Sequence, residues 1–168
     1  MGVFYEFDDV DAFTVGTVGR PGERTFYLQA RAEGQRVTVQ CEKQQAAAIV
    51  QYLRRVLADL PPPEDQPMPG AFEIREPFEA AFVLGPVGLG YDGASDRVLI
   101  QFEEVGEIDE EGQPIEDENL GHIRMYVSRG QAAAFCEHAD QIVEAGRPSC
   151  QWCGFPMNPD GHDCPRMN

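Results

Sequence analysis

Apolar positions recur at two periods along this chain of 168 residues, and each period occurs twice in the same order. In QQAAAIVQYLRRVLADL (44–60), Ala46, Ile49, Val50, Leu53, Val56 and Leu57 are spaced by threes and fours. That spacing lays one apolar stripe along a helix. In QAAAFCEHADQIVEA (131–145), Ala132, Phe135, Cys136, Ala139, Ile142 and Val143 repeat the stripe, every position shifted by 86. The segments before the helices, RVTVQCEK (36–43) and HIRMYVSR (122–129), alternate apolar and polar residues, the period of a half-buried strand. Farther upstream FTVGTVG (13–19) is similar to FVLGPVG (82–88), and RTFYLQA (24–30) to RVLIQFE (97–103). Each half therefore predicts strand, strand, strand, helix.

Turn chemistry separates these elements. GRPGER (19–24), EGQ (33–35), GLGYDGASD (88–96) and the acidic GEIDEEGQPIEDENLG (106–121) mark the loops. Ser128 is placed to cap the second helix and Gly146 to end it. PPPEDQPMPG (61–70) cannot continue a helix and reads as a linker. One helix on a three-stranded meander leaves strand edges open and a thin core. Two copies can pair edge to edge and place both helices on one face. The expected fold is α+β: an internally duplicated β-meander plus helix (βββα twice, pseudo-twofold) over 1–146, with halves of about 1–60 and 71–146. A small tail, 147–168, follows. Stripes present in both halves mark core. Features present in one half only, namely the acidic loop, GPVGLGYDG and the cysteine-rich tail, are the functional candidates.

Charge narrows the partners. The net charge is −16, and residues 61–146 hold nineteen acidic against four basic side chains. Nucleic acid and anionic membrane are disfavoured, because both require Lys and Arg to replace counterions. No apolar run approaches the roughly 18 residues of a membrane span, and MGVFYEFDDV has no basic region before an apolar stretch. Gly2 does not signal myristoylation, since Glu6 stands where Ser or Thr is required. A cytoplasmic protein is the expectation, and there clustered cysteines signal metal more often than disulfides.

Three of the five cysteines lie in CQWCGFPMNPDGHDCPRMN, the last nineteen residues. Cys150 and Cys153 form C-x2-C followed by Gly154, a tight turn that aims two thiolates at one ion. His162 and Cys164 are two apart, so an extended segment projects both to the same side. Pro156, Pro159, Asp160 and Gly161 supply the return turn. The sum is Cys3His, a closed tetrahedral set suited to one structural Zn2+. Soft ligands argue against magnesium and calcium, and an iron–sulfur cluster is the weaker alternative. The segment has few bulky apolar residues, so the metal, at roughly 10–16 kcal/mol in small zinc modules, would order it. Four protein ligands leave no open position for a substrate. A redox C-x-x-C would open a helix, and this one precedes a proline-rich turn.

The remaining candidates have plainer readings. GPVGLGYDG (85–93) connects strands and lacks a following Walker lysine, so a twisted hairpin or bulge is expected rather than a phosphate loop. The acidic stretch matches no calcium loop and reads as an exposed loop. His138 falls between stripe positions and is expected in solvent; His122 opens a strand. Cys41 and Cys136 are expected in the core. Arg20, Arg24, Arg31 and Arg36 cluster near the first hairpin, and Arg54 and Arg55 sit on the first helix; a basic pocket for a phosphorylated ligand or an acidic partner is one reading, and decoration of a surface is the more common one.

The strings VGTVGRPGERTFYLQA (15–30), EKQQ (42–45), LGPVGLGYD (84–92) and GRPSCQWCGFPMNPDGHDCPR (146–166) resemble the bacterial family of domain of unknown function 3090, described as a repeat protein. The resemblance supports the repeat plan and the tail motif and implies no reaction. The functional expectation is a non-enzymatic zinc-binding protein acting as a protein-binding or adaptor module through Trp152, Phe155 and Met157 around the metal. The alternatives are an enzyme with its active site in the cleft between the halves, and a zinc-knuckle nucleic-acid binder, which the charge disfavours.

Overall fold

A computed structural model describes residues 3–20, 23–65, 72–75, 79–116, 119–144 and 152. The strands are β1 (Phe4–Phe7), β2 (Ala12–Val18), β3 (Thr25–Ala32), β4 (Gln35–Cys41), β5 (Phe82–Asp92), β6 (Arg97–Glu104) and β7 (His122–Ser128). The helices are α1 (Lys43–Ala58) and α2 (Arg129–Glu144). The chain is thus α+β, with a seven-stranded mixed sheet and two helices. No helix among the described residues is long and apolar enough to cross a membrane.

Two differences from the sequence pattern have physical reasons. The pattern does not predict β1, because FYEF has bulky rings at three of four positions and no alternation. The stretch expected as a turn over 88–96 is largely strand: β5 runs to Asp92, and only residues 93–96 turn. The glycine segment does hold a bulge. Register slips between Leu84 and Val87, and a Cβ on Gly85 would come within 2.8 Å of the Val105 backbone.

The sheet order is β1-β7-β6-β5-β4-β3-β2, with β1 parallel to β7 and β4 parallel to β5. The two ends of that order are consecutive in sequence. Val10 N donates to Tyr126 O of β7 at 3.3 Å, and Asp11 N donates to Arg31 O of β3 at 2.8 Å. Adjacent residues thus bond to β7 and β3, the strands next to the two ends, so the sheet curls into an open barrel whose end strands β1 and β2 are joined by this segment without pairing to each other. The β4–β5 junction is built alike: Ala81 N donates to Thr38 O at 2.7 Å just before β5 begins.

The inward rows Phe13–Ala30–Val37 and Val15–Leu28–Val39 face the inward residues of β6 and β7, Ile100, Phe102, Ile123 and Met125. The helices add their stripes to the same cluster: Ala46, Ile49, Val50 and Leu53 from α1, and Ala132, Phe135, Cys136 and Ala139 from α2. Phe135 stacks on Phe13 at 4.3 Å. The helices meet at positions 86 apart. Cys136 Sγ lies 3.8 Å from Val50 O, and Arg54 Nη2 pairs with Asp140 Oδ2 at 2.5 Å.

Each helix is anchored by a glutamine in its first turn. Ser128 Oγ accepts from Gln131 N at 3.0 Å while Gln131 Oε1 accepts from Ser128 N at 2.8 Å, so Ser128 caps α2 in a reciprocal box. Gln131 Nε2 then donates to Val10 O at 2.6 Å. In α1, Gln45 Oε1 accepts from Glu42 N at 2.8 Å, and its Nε2 donates to Leu84 O at 3.0 Å. Both side chains satisfy a helix N-terminus and tie it to the barrel at once.

Candidate functional site

The four predicted zinc ligands, Cys150, Cys153, His162 and Cys164, lie outside the described residues, as does Gly146. Within the tail Trp152 is described, and it is 56% exposed. Among the described residues no group of three or more His, Cys, Asp or Glu side chains is placed to hold a metal ion.

The described cysteines are core, as expected: Cys136 lies on the stripe of α2 and Cys41 at the end of β4. Cys41 and Cys136 are buried free thiols. Burial pushes the Cys41 thiol up to about 12, helped by the charge of Glu42, and that of Cys136 up to about 11. Neither supplies a thiolate near neutral pH.

Among the described residues, the cavity inside the barrel where the halves meet is about 10 Å3, lined by residues such as Phe13, Leu28, Phe102 and Met125. That is room for about one water, not for a substrate. Two open hollows among the described residues lie outside. One, of about 510 Å3, runs beside α2 between Asp65, Phe72 and His138; the other, of about 610 Å3, lies beside Tyr5, Arg36 and Glu79.

His138 departs from its expected place in solvent. Its Nε2 lies 3.0 Å from Val15 O, and its ring stacks on Phe72 at 4.9 Å. The cause is tertiary: α2 runs along β2, and His138 seals that strand's free edge. The four arginines do not form one pocket. Arg20 and Arg24 flank the β2–β3 turn, whereas Arg31 and Arg36 are cross-strand neighbours at the far end of β3. Arg31 is joined by Arg75, and its pKa is lowered first by burial and then by the charges of Arg75 and Arg36, against Asp11 and Glu73. The acidic loop is exposed and pinned by a turn: Asp109 Oδ1 accepts from Glu111 N at 3.0 Å and Gln113 N at 2.8 Å.

The alternation of the strands conceals a second feature, the outward polar rows. In the first half Thr14, Gln29 and Thr38 stand in register on the outer face. Thr14 Oγ1 donates to Phe72 O at 2.8 Å. The Gln29 amide donates to Arg75 O at 2.9 Å, accepts from Arg75 N at 2.8 Å and also donates to Thr38 Oγ1 at 3.0 Å. The segment after α1 is thereby held across β2 and β3. In the second half Gly88, Gln101 and Arg124 form the matching row, beside Gly90, Leu99 and Tyr126. Arg124 Nη2 donates to Tyr126 OH at 2.9 Å. The sequence signal for this surface was available: glycines at 88 and 90, two apart in a strand, leave bare backbone on one face.

The family model described as "Protein of unknown function (DUF3090)" matches residues 5–164. The chain belongs to this family. No curated protein and no solved structure matches the chain. The family match spans both halves and all four predicted tail ligands. Its description names no activity.

Proposed function

We propose that this is a non-enzymatic cytoplasmic protein that binds one Zn2+ through Cys150, Cys153, His162 and Cys164 and acts as a protein-binding or adaptor module. The observation that carries this reading is the partition of the thiols. Cys41 and Cys136 are buried and protonated. The other three cysteines stand with His162 inside residues 150–164. Trp152, within that motif, is exposed. A Cys3His set is saturated by the protein, so the metal would shape a contact surface rather than activate water. The filled barrel interior supports a binding role over an active site between the halves, and the net charge of −16 supports a protein partner over nucleic acid.

We also infer that the halves are duplicated units related by a half-turn about the barrel axis. The Val50–Cys136 and Arg54–Asp140 contacts, each between positions 86 apart, are what such an axis between α1 and α2 would produce. The similar β4–β5 and β7–β1 junctions support it further.

Metal analysis of protein purified without chelator tests the zinc reading. One zinc per chain is expected, and Cys153→Ser should lose it while the barrel stays folded. Metal-free protein from zinc-replete cells would sink the reading. A binding partner captured by the full chain should be lost when residues 147–168 are removed.

A further inference from the structure

We infer that the C-terminal tail docks on its own barrel, across the outer face of β5, β6 and β7. The inference deepens the zinc-tail reading and rests on the likeness of the two halves.

The first half shows how such a face is covered. After α1 the chain crosses β2 and β3, hooked by Phe72 O to Thr14 and by the Arg75 backbone to the Gln29 amide. Between these hooks Ile74 lies on Gly16, where an added Cβ would meet it at 2.7 Å. A glycine on the outer face thus admits an apolar side chain directly onto the strand.

The second half has the same face without such a cover among the described residues. By register Gly88 takes the place of Thr14, Gln101 that of Gln29 and Gly90 that of Gly16. A Cβ on Gly90 would meet nothing within 4 Å, and one on Gly88 would meet the Gln101 side chain alone, at 3.7 Å. Gln101 makes no side-chain hydrogen bond among the described residues, whereas Gln29 makes three. Arg124 Nε and His122 Nε2, on the same face, are buried with no hydrogen-bond partner there. Polar groups in that state lack a neighbour.

The occupant is set by chain length and position. Thirteen residues (59–71) separate the end of α1 from Phe72, the first described residue of the covering segment in the first half. The stretch beyond α2 is 24 residues, 145–168, and leaves from the matching helix end. Its apolar residues, Trp152, Phe155 and Met157, suit a glycine floor, because aromatic rings pack well over strand glycines. The Arg124 guanidinium, 5.7 Å from the Tyr126 ring, offers a cation to a second aromatic.

Trp152 is the chain's one tryptophan, so its fluorescence reports on the tail alone. The test compares acrylamide quenching and emission wavelength in the full-length zinc-loaded protein and in Gly90→Val, whose new side chain has space but occupies the floor. The expected result is a red shift and easier quenching in the variant, with zinc content and unfolding midpoint retained. Equal quenching and equal emission in the two proteins would overturn the docking while leaving the zinc reading intact. Should the protein bind no zinc, the zinc reading fails, and the same comparison on the protein as purified still decides whether the tail docks. If Gly90→Val does not fold, Gln101→Leu removes the polar hook with little change of volume and is read in the same way.

Discussion

Single residues in this protein are fixed by what presses on them. Cys41 and Cys136 have thiols raised to about 12 and about 11 by burial. Folding holds their protons, whereas the unfolded chain releases them near the ordinary thiol pKa of about 8.5. Their contribution to stability is therefore complete below about pH 8.5 and declines as pH rises towards 11 and 12. Denaturant midpoints measured between pH 8 and pH 10.5 should fall, and the Cys41→Val, Cys136→Val pair should flatten that fall. A chromogenic thiol reagent should count three cysteines in native metal-stripped protein, none in zinc-loaded protein and five after denaturation. Three reactive thiols in the loaded protein would contradict the tail assignment. Gly130 is fixed by space: a Cβ there would lie 2.3 Å from Asp65 O and 2.5 Å from its carboxylate. Asp65 accepts from Gly130 N at 3.1 Å and from Ser128 Oγ, so it caps α2 from the linker. Gly130→Ala should cost about 1–3 kcal/mol through that overlap, read as a lower urea midpoint at unchanged slope.

At the scale of elements, the helices and six of the seven strands are legible in the sequence because each has one buried face and keeps a regular period. Ala46, Ile49, Val50 and Leu53 are buried as their spacing predicts, and so are Ala132, Phe135, Cys136 and Ala139. Period fails where a segment serves two environments. β1 has rings on both faces: Phe7 is buried, while Phe4 is 61% exposed beside His122. The linker after α1 has no period at all, yet Thr14 and Gln29 hold residues 72–75 on the sheet by backbone bonds, which no side-chain pattern encodes. The same limit applies to the candidate site. Its ligand spacing is readable in the tail, but the outer face of the second half emerges only when register aligns Gly88, Gln101 and Arg124. Gln29→Leu tests the first-half latch. It strands the Arg75 amide and carbonyl at a half-buried surface, at a cost of roughly 1–3 kcal/mol. Hydrogen exchange should accelerate at Arg75 before it accelerates in β3. Unchanged exchange at Arg75 would mean that the latch bears no load.

The property of the whole molecule is closure. A pattern of alternating residues fixes which face of a strand is buried but says nothing about which strand lies beside it, and so the barrel could not be read from the chain. Closure depends on the short stretch in which Val10 bonds to β7 and Asp11 to β3. β1 contributes the parallel pairing from Phe4 opposite His122 to Phe7 opposite Met125. Without it, β7 would present an open edge. The core does not divide at the linker, because Phe13 of the first half packs on Phe102 and Phe135 of the second. Two consequences follow from one geometry. Unfolding of the intact chain should be a single transition, with far-ultraviolet and near-ultraviolet circular dichroism midpoints coinciding. Removing residues 1–8 should leave one transition at a lower midpoint, because the seam loosens while the shared core persists, and β7 amides should exchange faster than those of β3. Two separated transitions in the intact chain would mean that the halves fold as independent lobes. In that case the 86-residue contacts between α1 and α2 would be a loose docking rather than the centre of one core.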